Sequence, residues 1–228
     1  VESPVCTDYQ YRDAIRNDPD FRLIETFGYR PGQGIARLDL HLARMARSAE
    51  ALGIVIDMSA AKSVLAQVGG AEPLRCRLTL DARGGVDLTT AVFPAPIEVM
   101  RFKIAETVLE SRDVWLRHKT TRRQIYDVAR ATLPLGVDEL VFLNERGEVC
   151  EGTITNISIT TLEGDHLTPP LSSGCLPGVY RQSRLDQRLL REAVLTVSDL
   201  KAAKSIKLVN SLRGSTQASW VLDDENTE

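Results

Sequence analysis

The sequence predicts an α+β protein, and three observations carry the expectation. A helical stripe precedes a two-stranded hairpin in the first half, paired prolines break both patterns near residue 95, and strands and helices recur without an internal repeat beyond it. The chain has 228 residues, 43% of them hydrophobic and 26% charged, the ordinary balance of a chain that folds around its own core. A net charge of -3 provides no broad basic field for nucleic acid, and no apolar run approaches the roughly 18 residues of a membrane span. The opening Val1-Glu2-Ser3-Pro4-Val5 lacks the basic and apolar regions of a secretory signal, so a cytoplasmic protein is expected. Cys6, Cys76, Cys150 and Cys175 show neither Cys-x-x-Cys nor Cys/His spacing, which argues against disulfides and a zinc site.

Leu38, Leu42, Met45, Ala49 and Leu52 recur at helical spacing, with Arg44, Arg47 and Glu50 assigned largely to the opposite face and Gly53 as the C-terminal cap. Residues 74–80 and 86–92 alternate with period two around Asp81-Ala82-Arg83-Gly84-Gly85, the pattern of an antiparallel hairpin. Phe93-Pro94-Ala95-Pro96 is the linker candidate. It divides the chain into a small N-terminal domain, 1–95, and a larger one, 96–228. In the second part the pattern predicts strands over 101–110, 139–143, 154–161, 166–168 and 207–210, and helices over 120–133 and 178–192. The acidic tail Asp223–Glu228 is expected to fray.

Three motifs could carry chemistry. Lys119, one of only six lysines, lies in His118-Lys119-Thr120-Thr121-Arg122-Arg123 at the junction of an expected strand and helix. Glu151 opens Glu-Gly-Thr-Ile-Thr-Asn, which ends at Asn156, and follows the turn Asn144-Glu145-Arg146-Gly147-Glu148. Leu176-Pro177-Gly178-Val179 puts proline and glycine at the start of a helix, where unpaired N–H groups and the dipole attract an anion. His41, His118 and His166 have no metal spacing, and Gly-x-Ser-x-Gly is absent from the sequence. Gly32-x-Gly34 lacks the third glycine of a dinucleotide fingerprint and reads as a proline-bounded turn.

Taken with Thr168-Pro169-Pro170-Leu171-Ser172-Ser173-Gly174 and Val209-Asn210-Ser211-Leu212-Arg213-Gly214, this series resembles the class IV pyridoxal-phosphate enzymes from about Arg22 to Gly214. The resemblance implies fold type IV, with a small N-terminal α/β domain and a larger C-terminal β-barrel-like domain with helices. It implies pyridoxal 5'-phosphate as cofactor, bound through its aldehyde by Lys119, which also shuttles a proton. Glu151 would face the ring nitrogen and Asn156 would support its turn. Arg37, the backbone at Gly178 and Val179, and Ser211 would hold the phosphate. A homodimer acting on a small-molecule substrate is implied as well.

Within the family the motifs are most similar to aminodeoxychorismate lyase, which implies conversion of 4-amino-4-deoxychorismate to 4-aminobenzoate and pyruvate. The alternatives are an aminotransferase for branched-chain or D-amino acids and a pyridoxal-phosphate-binding protein without turnover. Thr26 matches a family threonine that could relay a proton, or is a β-branched strand residue. Arg77, Arg122 and Arg213 are candidate partners for substrate carboxylates. Many relatives carry asparagine at position 122, so the arginine there either alters substrate contacts or decorates a helix surface.

Overall fold

The computed structural model describes residues 15–222. The opening segment, Cys6 and the acidic tail lie outside the described residues. The chain divides into two compact units. The first takes the residues up to Pro94 together with His118–Arg122, and the second takes Ala95–Arg117 and the residues from Arg123 on. A single cut therefore does not separate them, because the segment bearing Lys119 belongs with the N-terminal half.

The first unit is an antiparallel sheet of four strands backed by two helices. Its strands are β1 (Arg22–Arg30), β2 (Gly34–Ile35), β3 (Leu74–Asp81) and β4 (Val86–Val92), in the order β2-β1-β3-β4. The 74–80/86–92 hairpin forms in the expected register, with Leu74 opposite Val92 and Leu80 opposite Val86. Helix α1 spans Leu38–Leu52 as its periodicity predicts. Gly53 ends it at φ 68°, a left-handed conformation that lets its N–H reach the carbonyls of Ala49 and Glu50. Helix α2 (Met58–Leu65) is capped by Asp57, whose side chain accepts from the N–H groups of Ser59 and Ala60.

One expectation fails on α1. Arg44 is buried rather than exposed, and His41 and Ser48 are buried with it. These three sit about one turn apart, so they form a polar seam within the inward face. The Glu25 carboxylate on β1 accepts from Arg44 Nε at 2.8 Å and Nη2 at 2.6 Å, and from His41 Nδ1 at 2.5 Å. Burial works against the Glu25 charge, but Arg44 and His41 outweigh it and hold the carboxyl down at about 2. Burial also lowers the His41 pKa, so a neutral imidazole donates to a carboxylate whose charge is balanced by Arg44.

This arrangement makes the unit acid-sensitive. A carboxyl depressed from 4.5 to about 2 contributes stability that is complete above 4.5 and is lost as pH falls toward 2. The lowered His41 adds to the loss below its ordinary 6.5, because the unfolded chain binds that proton first. Glu25→Gln is expected to cost about 3–5 kcal/mol at neutral pH by removing the carboxylate that balances the buried Arg44 charge. Urea unfolding should also show the variant losing less further stability than the parent between pH 4.5 and 3.

The second unit is built on a sheet of eight strands. They are β5 (Val99–Ile104), β6 (Glu139–Leu143), β7 (Val149–Gly152), β8 (Asn156–Thr160), β9 (His166–Thr168), β10 (Arg191–Glu192), β11 (Ser205–Asn210) and β12 (Gly214–Trp220), ordered β10-β9-β8-β11-β12-β5-β6-β7. Because β7 also pairs with β8, six of these strands close into a barrel, and the α+β expectation is met. Phe102, Val141, Val149, Ile157, Leu208 and Ala218, one from each barrel strand, are buried in one apolar cluster. Helix α3 (Gln124–Ala131) lays Ile125, Tyr126 and Ala129 over a second cluster of Leu109, Leu116, Phe142 and Cys150. Helix α4 (Val179–Asp186) follows the Pro-Gly motif, and α5 (Val197–Ala202) precedes β11. Among the described residues no helix is long and apolar enough to cross a membrane.

Candidate active site

In the first unit, residues 118–122 run antiparallel to the start of β1, along the edge that β2 occupies farther on. Ile24 N donates to Lys119 O at 2.8 Å, Thr121 N to Arg22 O at 2.9 Å, and Arg22 N to Thr121 Oγ1 at 2.9 Å. Leu23 and Thr120 form the bridging pair. Side chains in extended chains alternate between faces. Continuing the register by one residue puts Lys119 opposite Ile24, on the face away from α1, whereas His118 and Thr120 share the α1 face with Leu23 and Glu25. Thr26 lies two residues after Ile24 on the Lys119 face, directly across from Arg77 of β3. The strand pairing thus gathers Lys119, Thr26 and Arg77 on one side of a single sheet, with Cys76, Leu78 and Leu80 buried on the other.

Arg37 is the residue before α1 and holds φ 58°, ψ 30°. A left-handed non-glycine conformation costs on the order of 1 kcal/mol and is concentrated at functional positions. Arg122 pairs with Asp18 at 3.5 Å and lies over the Phe21 ring, so this candidate is engaged within its own unit. It does not decorate a helix surface: α3 begins only at Gln124.

In the second unit, Glu151 and Asn156 are cross-strand partners at the pairing of β7 with β8 that closes the barrel. Both are buried. One Glu151 oxygen accepts from Tyr126 Oη at 2.7 Å, and the other from Leu176 N at 3.0 Å and Asn156 Nδ2 at 3.3 Å. Asn156 Nδ2 also donates to Leu176 O at 3.0 Å. Burial first, then the Glu151 charge, pushes the Tyr126 phenol far above its usual range, so it remains a protonated donor. Tyr126 escaped the sequence reading. Its signal was there: a tyrosine on the inward face of an amphipathic helix needs a partner for its hydroxyl.

The turn between Glu151 and Asn156 has its own buried anchor, also missed. Glu139 is fully buried and accepts from Thr153 N at 3.0 Å, Ile154 N at 3.3 Å and Thr155 Oγ1 at 3.0 Å, as well as from the Thr153 hydroxyl. From α3 and its N-cap, Arg130 Nη1 donates to Thr153 Oγ1 and Arg123 Nη2 to Thr153 O, each at 2.9 Å.

Gly178 is the N-cap of α4 and passes so close to Asn156 that an added Cβ would collide with its Oδ1. Gly178→Ala must displace Asn156, or the start of α4, from a packed position. A loss of about 1–3 kcal/mol in urea unfolding is expected. Val179 is buried at the first position of α4, and Tyr180 packs near Gly214. Ser211 is half-buried in the turn between β11 and β12, where Asn210 Oδ1 accepts from Arg213 N at 2.8 Å and Asn210 Nδ2 lies 3.4 Å from Ile154 O. Arg213 Nη1 donates to Ala95 O at 2.6 Å, which ties this candidate to the backbone.

A family model for class IV aminotransferases matches residues 22–220. The chain belongs to the class IV aminotransferase family. Among solved structures, a candidate amino-acid aminotransferase from Mesorhizobium loti superposes with a TM-score of 0.84 at 40% identity, over 89% of this chain and 100% of that one. The 4-amino-4-deoxychorismate lyase of Pseudomonas aeruginosa shares the fold at a TM-score of 0.76 and 23% identity, over 87% of this chain and 82% of that one. An aminodeoxychorismate lyase of Saccharomyces cerevisiae is 27% identical over 114 residues, 42% of this chain. That match spans 30% of the yeast protein.

Proposed function

We propose that this class IV member is a pyridoxal-phosphate-dependent aminodeoxychorismate lyase, which converts 4-amino-4-deoxychorismate to 4-aminobenzoate and pyruvate as a step toward folate. The observation that carries the reading is the shared face of Lys119, Thr26 and Arg77: an amine, a hydroxyl two residues along the neighbouring strand, and a guanidinium across from the hydroxyl. The similarity to the yeast lyase supports it.

The donor set suits the cofactor. Glu151 offers a buried carboxylate braced by three donors, Gly178 lets the start of α4 lie directly against Asn156, and Arg37 stands in a strained conformation ahead of α1. Bound pyridoxal phosphate supplies a sink for the electron pair left when the substrate C–H bond breaks. Lys119 Nζ would hold the cofactor by its aldehyde and, freed when the substrate amine takes that place, would accept the proton from the amine-bearing carbon. Glu151 would keep a proton on the ring nitrogen, its own oxygens fixed by Tyr126 and Asn156. Arg37, the backbone at Gly178 and Val179, and Ser211 would hold the phosphate. Thr26 Oγ1 passes a proton toward the departing pyruvate, and Arg77 meets a substrate carboxylate. Aromatisation of the product provides the driving force, so no amino acceptor is required. The working form is a homodimer in the cytoplasm, and light scattering should return twice the chain mass.

With aminodeoxychorismate as sole substrate, 4-aminobenzoate and pyruvate are expected in equal amounts with no keto acid added. A second reading, amino-acid aminotransferase, is favoured by the 40% identity with the Mesorhizobium loti protein. A strict requirement for a keto acid, with amino groups transferred to it, would establish that reading and overturn the lyase.

A further inference from the structure

The buried polar seam of α1 has no part in the chemistry above, yet it meets both strands that carry it. Arg44 and His41 grip Glu25, the residue between Ile24 and Thr26. Ser48, buried one turn farther along α1, shares a hydrogen bond of 3.0 Å with His118 Nδ1, and His118 immediately precedes Lys119. A helix needed only for packing would carry apolar residues at these positions, because each buried polar group must be satisfied at the cost of its desolvation. Polar partners add a defined register to the packing.

Register is what Lys119 needs. Among the described residues its segment joins β1 through one bridging pair, and apart from the Thr121 hydroxyl, which bonds Arg22 N and Asp20 O, the bonds there are backbone ones that do not depend on which side chains face the helix. Slipping by one residue would turn Lys119 toward α1 and His118 toward Thr26 and Arg77. The Ser48–His118 bond is unavailable in the slipped arrangement, since only position 118 brings an imidazole to the helix face.

We propose that Ser48 and His118 are positioning residues for Lys119, locking the face from which its amine projects, with Glu25, His41 and Arg44 holding the neighbouring strand in the same register. This rests on the reading of Lys119 as the residue that links to the cofactor. That reading has its own check: borohydride reduction of the parent with pyridoxal phosphate, followed by peptide mapping, should place the label on Lys119. A label on another lysine overturns the reading, and this inference with it.

The inference is tested by mixing cofactor-free full-length Ser48→Ala, Ser48→Thr and parent protein with pyridoxal phosphate and following the visible absorbance of lysine capture. Pyridoxamine phosphate, which has no aldehyde for a lysine to attack, is titrated in parallel. Ser48→Ala should capture pyridoxal phosphate about tenfold more slowly while binding pyridoxamine phosphate as the parent does, and Ser48→Thr, which keeps the hydroxyl, should recover most of the rate. Unchanged capture in Ser48→Ala overturns the proposal. Equal losses for both cofactors also overturn it, since they would show a general loosening of structure and no effect on the amine. His118→Phe gives a second arm with the same expected contrast.

Discussion

Lys119→Ala should yield a folded protein that shows no visible cofactor band, traps no cofactor with borohydride and turns over at least about 10⁴-fold more slowly. The size of the effect follows from losing together the two roles proposed for Lys119, the link to the aldehyde and the proton shuttle at the substrate carbon. No other lysine occupies the edge segment: Lys62 is on α2, Lys103 on β5, Lys201 on α5, Lys207 on β11, and Lys204 lies between the last two. Absorbance, trapping and turnover should therefore fall together. A variant that retains a borohydride-reducible linkage would move the role to one of those five.

Glu151→Gln should keep the cofactor but slow cleavage of the substrate C–H bond by about 10²–10³-fold. The amide is neutral, and its NH₂ would also face a donor, whether the Tyr126 hydroxyl or the Leu176 N–H, where the carboxylate accepted from both. The phosphate contacts proposed for Gly178 and Val179 do not involve this side chain, so affinity should change far less than rate. Single-turnover measurements with substrate deuterated at the amine-bearing carbon separate the two. A parent-like rate and isotope effect would assign the ring-nitrogen partner to another residue.

The parts of this fold that were legible in the sequence are those where one face is apolar and the ends are marked. Helix α1 declares itself through its leucines and Gly53, and the β3–β4 hairpin through its alternation. Strand β1 was hidden because Glu25 interrupts the apolar pattern around it, and the arginine and histidine that satisfy it lie 19 and 16 residues away. Arg44 was misassigned for the same reason. The helix expected over 120–133 begins at Gln124 because Lys119–Thr121 bond to β1, a tertiary preference no local window reveals. The strand expected over 101–110 stops at Ile104, and that over 154–161 starts at Asn156 because Glu139 holds the preceding turn. The helix expected over 178–192 ends at Asp186, shortly before Arg188 adopts φ 57°. Among the candidate residues, the resemblance to the class IV family pointed to Glu151, Asn156 and Gly178. Tyr126 and Glu139, which hold that group in place, become visible only once strands and helix are packed.

The return of residues 118–122 to the first unit has a consequence for how the chain can be made and divided. During synthesis the N-terminal unit cannot be finished when Pro94 emerges, since the stretch that covers the start of β1 is still more than twenty residues away. Until it arrives, the backbone of Arg22 and Ile24 has an open edge, and open edges recruit strands from other molecules. A fragment ending at the proline linker would keep that edge permanently and should tend to aggregate, although its helices and hairpin are intact. Any split or fusion of this protein should therefore retain the whole run through Arg122, or supply that run separately as a peptide.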